Sequence, residues 1–179
     1  MRARALGLGL LAVLCCVTAC GRKAAAPGSA HSPLYTGQEP KRTVRLTLPG
    51  SQQAGFVYVD RQIYATASVV NQGKQILLAL MAGPTPKEAQ ATPCFGPAAA
   101  YLELYLDGKG LAVVDLPQAT VDALPGGTSA EVATLYCLIR SLGQNLPQVG
   151  RVQLLIDGQV PESLRGHLDL QDPLSLNDL

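Results

Sequence analysis

The 179-residue chain has no tryptophan, only two phenylalanines and two histidines, and few charged residues, which make up 15% of the sequence. Its 14 lysines and arginines nearly balance its 13 aspartates and glutamates. Proteins that bind nucleic acids need a basic surface for the phosphates and often use aromatic rings on which bases stack. A chain that has little of either is not expected to bind nucleic acid.

Several motifs of catalysis and cofactor binding are also missing. The chain has no Gly-x-Ser-x-Gly nucleophile elbow, no Gly-x-x-x-x-Gly-Lys-[Ser/Thr] phosphate loop and no Cys-x-x-Cys pair. His31 falls in a polar linker, and His167 alone cannot form a histidine-rich metal site. We therefore expect no enzyme activity, cofactor or metal. The 47% of apolar residues nevertheless indicates a globular protein.

The first twenty residues have the pattern of a bacterial lipoprotein signal peptide. Two arginines precede an uncharged apolar stretch, which ends in the lipobox-like run Val17-Thr18-Ala19-Cys20. Small residues before a cysteine resemble the site at which the peptide is cleaved and the cysteine is lipidated. We therefore predict a signal peptide over residues 1–19 and lipidation, including palmitate, at Cys20. The alternatives are an ordinary secretory peptide and a permanent membrane span, which needs about 20 apolar residues.

The predicted anchor places the mature protein on a membrane. Several acyl chains on one cysteine hold a protein stably, because each buried methylene contributes about 0.8 kcal/mol and one chain alone is marginal. Residues 20–42 are small, polar and interrupted by proline, a composition that cannot bury enough surface to offset the entropy of ordering. We interpret them as the lipidated Cys20 and a flexible tether at the extracytoplasmic face of a bacterial cell membrane.

The remaining residues, 43–179, are predicted to form one α/β domain with several strands. Residues 43–48 alternate between apolar and polar side chains, as in a half-buried strand. Residues 54–67 form a second strand, or a hairpin broken at a charged triplet in their middle. Residues 102–116 predict a hairpin that turns at an Asp-Gly step, and residues 151–156 predict a last strand.

Two helices complete the predicted domain. An apolar pattern of helical spacing begins at Asn71 and stops at Gly83, where glycine can cap a helix and the following proline cannot continue it. Thr128 and Glu131 have the spacing of a capping box, and the helix after them ends at Gly143. We expect a small mixed sheet of about five strands packed by these two helices, with a right-handed crossover through the second.

The order of these elements resembles the GerMN domain family of sporulation and spore germination, over residues 43–174. The resemblance lies in a leucine-rich helix that ends in Gly-Pro, a strand that ends in Val-Asp-Leu, a strand that ends in Asp-Gly, and a late Pro-Leu pair. The matching segments are Leu77-Leu78-Ala79-Leu80-Met81-Ala82-Gly83-Pro84, Val113-Val114-Asp115-Leu116, Val152-Gln153-Leu154-Leu155-Ile156-Asp157-Gly158 and Pro173-Leu174.

The resemblance implies a small α/β domain of bacterial envelope and spore-forming systems that is often carried on lipoproteins. It implies no catalytic residues. Members of the family are associated with assembly of an envelope-spanning complex and with spore germination. The function implied is therefore an interaction or assembly module, whose partner is an envelope protein or is associated with peptidoglycan.

An alternative interpretation of the function rests on Asp115 and Asp157. Each ends a predicted strand, so in one sheet both could project from the same edge. A pair of carboxylates can hold a metal or act as the acid and base of a hydrolase, and the chain would then be an enzyme or binding protein of the cell wall. Aspartates after strands also commonly accept hydrogen bonds from the following turn, and we favour that role.

Cys94 and Cys137 are the only cysteines after Cys20. An exported compartment permits their oxidation, and a disulfide would close a loop of about 43 residues and stabilise the fold by up to ~4 kcal/mol. Cys137 can equally be a small buried apolar residue of its helix. The spacing alone leaves both interpretations open.

Overall fold

The computed structural model describes residues 33–51, 55–164, 166 and 168–179. The predicted signal peptide, the lipidation site Cys20, His31 and His167 lie outside these residues. Among the residues that are described, every helix is too short or too polar to cross a membrane.

The first two strands form an antiparallel hairpin. Strand β1 spans Lys41–Pro49 and strand β2 spans Phe56–Tyr64, with Leu46 opposite Val59. The alternation predicted for β1 is confirmed, although the strand begins two residues earlier than predicted. Strand β2 continues without a break through its charged triplet, so the strand is confirmed and the broken hairpin is wrong.

The other three strands form a second sheet in the order β3 (Glu103–Leu106), β4 (Leu111–Leu116) and β5 (Arg151–Ile156). Strands β3 and β4 pair antiparallel, as the predicted hairpin requires, while β4 and β5 run parallel. The described residues therefore form the expected five strands, but these are divided between two small sheets.

Helix α1 spans Val69–Met81 and begins two residues before the predicted start. The side chain of Ser68 caps it by accepting a hydrogen bond from the amide of Asn71. The chain leaves the helix at Gly83, whose φ of 70° is a conformation that glycine adopts without strain, as predicted. A short helix that the sequence analysis did not predict, α2 (Gln118–Asp122), follows strand β4.

Helix α3 spans Thr128–Asn145, and the predicted capping box at its start is wrong. The N-cap residue is Gly127, and no side chain caps the helix. The carboxylate of Glu131 is buried and instead accepts hydrogen bonds from the backbone amides of Leu164 and Leu168. Glu131 therefore ties the C-terminal segment to α3.

Polar side chains near the end of α3 cover the outer edge of strand β1. The hydroxyl of Ser141 accepts a hydrogen bond of 3.0 Å from the amide of Thr47, and the side chain of Asn145 accepts one of 2.9 Å from the amide of Arg45. An uncovered strand edge exposes unpaired amides and carbonyls that can recruit other strands. These contacts fix α3 against the hairpin.

Candidate functional site

A cleft of about 780 Å³ opens where the C-terminal end of α1 meets the loop over residues 84–100 and the segment after α2. All of its lining residues are uncharged, and none carries a hydroxyl or amide side chain. They are Leu78, Met81, Ala82, Pro84, Pro93, Phe95, Gly96, Pro97, Ala98, Ala99, Ala123 and Pro125. We call this site the apolar cleft.

The wall of the apolar cleft depends on close contact between two backbone segments. At Gly96, a Cβ atom would collide with the carbonyl oxygen of Ala123. Only glycine therefore lets the loop lie against the segment after α2. The neighbouring Ala98 has a φ of 59°, a left-handed conformation that costs a residue with a side chain some strain.

Hydrogen bonds hold the loop at both ends of this wall. The hydroxyl of Thr134 on α3 donates to the carbonyl oxygen of Cys94 at 2.8 Å. The hydroxyl of Thr120 on α2 accepts from the amide of Ala100 at 3.0 Å and donates to its carbonyl oxygen. Phe95 lies between these anchors and is only 2% exposed. The wall is thus a fixed part of the fold.

An ion pair braces the rim of the cleft where the loop begins. The guanidinium of Arg61 donates to both carboxylate oxygens of Glu88, at 2.7 and 2.8 Å, and to the carbonyl oxygen of Gly83 at 3.0 Å. The hydrogen bond from Arg61, together with one from the amide of Thr85, lowers the pKa of Glu88 from 4.5 to about 2. The same hydrogen bond raises the pKa of Arg61.

The rim also exposes apolar surface. Leu78 is 47% exposed, and Ala82, Pro93, Pro97 and Ala98 are exposed around it. Removing apolar surface of this kind from water is favourable by roughly 25 cal/mol per Å². The cleft can therefore bind apolar groups, but it offers no side chain for acid, base or nucleophilic chemistry.

The two aspartates singled out from the sequence lie near the same end of the second sheet, which we call the carboxylate edge. Asp115 lies within β4, beside the last residues of β5, and Asp157 directly follows β5. The carboxylate of Asp115 accepts a 3.0 Å hydrogen bond from the amide of Gly158, and the amide of Asp157 donates to the carbonyl oxygen of Leu116. Both residues therefore shape the turn after β5.

The carboxylate edge does not gather further metal-binding side chains. Within the described ranges, no three histidine, cysteine, aspartate or glutamate residues are grouped as a metal ion would require. The carboxylate of Asp115 makes the turn hydrogen bond with the amide of Gly158. This is the structural role expected for an aspartate after a strand.

The two cysteines of the domain are brought together. Both are free thiols, with Cys94 2% exposed and Cys137 fully buried. A hydrogen bond with the Cys94 thiol and burial raise the pKa of Cys137. The contact joins the cleft wall to α3, and the spacing of the two residues in the sequence could not show it.

Sequence reasoning missed the apolar cleft, since it placed no helix or strand between the helix that stops at Gly83 and the hairpin that begins at residue 102. The signal that could have indicated it is the uncharged run over residues 92–100, which holds Phe95 among alanines and prolines. A surface loop without charge or flexibility is unusual, since loops normally favour polar residues.

One family model matches the chain. It is the model described as "Germane: Sporulation and spore germination", and it covers residues 36–162. None of the curated proteins compared with the chain matches it.

Solved structures share the fold. A candidate lipoprotein from Clostridium perfringens is 22% identical with a TM-score of 0.55, over 77% of this chain and 89% of that one. The first GerMN domain of the sporulation protein GerM from Bacillus subtilis is 18% identical with a TM-score of 0.58, over 76% and 99%. The tandem GerMN domains of the same protein match at 16% identity and a TM-score of 0.56, over 75% and 45%.

Proposed function

Since the chain belongs to the Germane (GerMN) family of sporulation and spore germination, we propose that it is a non-catalytic interaction module of the bacterial cell envelope. The module binds an apolar segment of another envelope protein in the apolar cleft. A lipid anchor at Cys20 holds it at the extracytoplasmic face of a membrane.

The observation that carries this proposal is the chemistry of the apolar cleft. A charged ligand that entered it would lose its hydration without meeting a counter-charge, which is costly. Aliphatic or proline side chains would instead bury the exposed surface of Leu78 and its neighbours. Fully burying one such side chain contributes about 1.5–3 kcal/mol, so a few of them suffice for a specific contact.

The carboxylate edge supports a function without catalysis. A general acid or base needs a carboxylate within reach of its substrate, whereas Asp115 is occupied by the amide of Gly158. The hydroxyls of Thr134 and Ser141 are likewise engaged with backbone groups inside the fold. Neither is free to act as a nucleophile beside a base.

The pattern of residues 1–20 supports the anchor. The match to a candidate lipoprotein of similar fold is consistent with it. An anchored module of this kind needs no further membrane-spanning element in the domain, since several acyl chains on one cysteine are sufficient.

The test is photo-crosslinking of the full chain in its native envelope, with the crosslinking amino acid at the exposed cleft residue Ala82. We expect one protein to be captured through an apolar segment, and we expect Leu78→Lys to abolish the capture. Leu102→Lys is the matched control, because Leu102 is also 47% exposed but does not line the cleft. Capture should be unchanged in that variant.

Two results would contradict the proposal. One is capture that survives Leu78→Lys, which would place the contact elsewhere on the domain. The other is labelling of lipid or glycan alone, which would make an acyl chain or the wall polymer the occupant. The Cys20→Ser chain tests the anchor in the same experiment, because it should leave the membrane fraction and lose the capture.

A further inference from the structure

The thiols of Cys94 and Cys137 are a pair that the proposed binding function does not use. They come from two distant parts of the chain, the cleft wall and helix α3, yet both lie in the same apolar core. The hydroxyl of Thr134, one turn before Cys137, also fixes the carbonyl oxygen of Cys94 at 2.8 Å. This hydrogen bond holds the backbone of Cys94 against α3, one helical turn from Cys137.

This placement is compatible with a disulfide. Both sulfurs are buried in one core, and the backbone of Cys94 is held one helical turn from Cys137; a disulfide would bring the sulfurs to the S–S bond length of about 2.05 Å. The core around them is apolar, so no charged group has to be displaced. Among the residues that the structure describes, these are the two cysteines, and each has only the other as a thiol partner.

We propose that Cys94 and Cys137 are joined by a disulfide in the exported protein, and that this bond ties the wall of the apolar cleft to helix α3. The proposal rests on the export predicted from residues 1–20, because disulfides persist outside the cytoplasm. It does not depend on which molecule the cleft binds.

The bond forms by thiol–disulfide exchange with a protein or small-molecule disulfide of the envelope. The thiolate of one cysteine attacks the oxidant, displaces one of its sulfurs as a thiolate and leaves a mixed disulfide. The thiolate of the second cysteine then attacks that mixed disulfide and displaces the other sulfur. Two cysteine thiols and one oxidant disulfide thereby become one internal disulfide and two oxidant thiols.

Burial of the two thiols determines whether the exchange occurs during folding or after it. In the folded, reduced protein both sulfurs are inaccessible, and the raised pKa of Cys137 keeps it in the unreactive thiol form. The exchange therefore takes place while the exported chain is still folding. Once the chain has folded, the same burial protects the bond from reductants.

The test uses the full chain recovered from the envelope fraction of the bacterium, acid-quenched, unfolded and treated with a maleimide before and after reduction. We expect Cys94 and Cys137 to be unlabelled before reduction and both labelled after it. Peptide mapping should find the two cysteine peptides joined and lighter by two hydrogens. Full labelling of both cysteines before reduction would overturn the proposal.

Thermal unfolding supplies a second readout. The natural protein reduced in denaturant and refolded in reductant should melt about 10 °C below the oxidised protein, as expected for a crosslink across a loop of this length. The Cys94→Ser/Cys137→Ser double variant should melt at the same temperature with and without reductant. Equal Tm values for the oxidised protein and for the protein reduced in denaturant and refolded in reductant would contradict the disulfide, even if the double variant failed to fold.

The timing is tested on protein that has been folded in reductant. Added oxidised glutathione should react with the folded form at least about tenfold more slowly than with the urea-unfolded chain. Equal rates would show that the thiols are reachable in the folded protein, and the bond would then not depend on folding.

Discussion

The carboxylate edge and the apolar cleft differ in how far the domain itself satisfies their side chains. At the carboxylate edge, the carboxylate of Asp115 accepts a hydrogen bond from the backbone amide of Gly158 at 3.0 Å. At the apolar cleft, Leu78 and several small apolar residues face solvent beside the buried Phe95. The carboxylate of Asp115 thus has a partner inside the domain, whereas the apolar side chains at the cleft rim face water.

This difference bears on how function is inferred from a small domain. Charged residues at strand ends attract attention as candidate catalytic groups, but their hydrogen bonds determine whether they are available. An apolar surface has no hydrogen bonds to make, so its exposure is the informative property. For this chain the comparison supports the proposed binding function.

The largest loss of stability is expected when a substitution at Gly96 disrupts the cleft wall. In Gly96→Ala, the new methyl group collides with the carbonyl oxygen of Ala123, and a backbone atom cannot move aside as a side chain can. We expect the free energy of unfolding to fall by about 3 kcal/mol, at the upper end for overpacking. Denaturant unfolding of the two proteins measures the difference.

Gly126→Ala is the matched control, because a Cβ atom at Gly126 meets nothing within 4 Å and its φ is not in the left-handed region. That variant should be as stable as the natural protein, or slightly more stable, since alanine reduces the entropy of the unfolded chain. Equal losses in the two variants would show that the close approach at Gly96 is not what maintains the wall.

The regular elements of the fold could be predicted because their signals are local. The alternation of Val44, Leu46 and Leu48 specified β1, and the Asp-Gly turn specified the β3–β4 hairpin. The end of α1 followed from Gly83 and the proline after it. Each of these signals acts over a few residues, so no knowledge of the rest of the molecule was needed.

The features that were missed depend on residues far apart in the chain. Glu131 has the spacing of a local cap, but its carboxylate accepts a hydrogen bond from a backbone amide more than thirty positions away. The cleft is assembled from three separate segments, so no single segment reveals it. The contact between Cys94 and Cys137 is of the same kind, because spacing does not determine which side chains meet in a core.

A smaller effect is expected at the carboxylate edge. Asp115→Ala removes the acceptor for the amide of Gly158, and we expect the free energy of unfolding to fall by about 1 kcal/mol, as for loss of one hydrogen bond. Asp157→Asn should change little, because asparagine also tolerates the φ of 47° at that position. Capture through the cleft should persist in both variants.

The hydrolase alternative makes the opposite prediction for these two aspartates. If they were the acid and base of a wall-degrading enzyme, either substitution would abolish solubilisation of peptidoglycan by the full chain. We expect no such activity to depend on either residue. A measured activity that disappears in both variants would reverse the comparison between the two surfaces.

The smallest effect is expected at the rim of the cleft, in the pH dependence of the Arg61–Glu88 pair. The pKa of Glu88 is lowered from 4.5 to about 2 in the folded protein, so between these values the unfolded chain binds more protons at this residue. The stability that the pair contributes is therefore present above about pH 4.5 and is lost as the pH falls towards 2. Both side chains keep some contact with solvent, which limits the size of the effect.

Glu88→Gln isolates this contribution, because glutamine keeps the shape of the side chain and cannot ionise. The Tm of the natural protein should exceed that of the variant at pH 7, and the difference should shrink steadily from pH 4.5 to pH 2. The exposed Glu162 gives the control, since Glu162→Gln should show no such narrowing. A Tm difference that stays constant over this range would mean that Glu88 stabilises the rim through its shape rather than its charge. The ion pair would then make no contribution to the stability of the cleft.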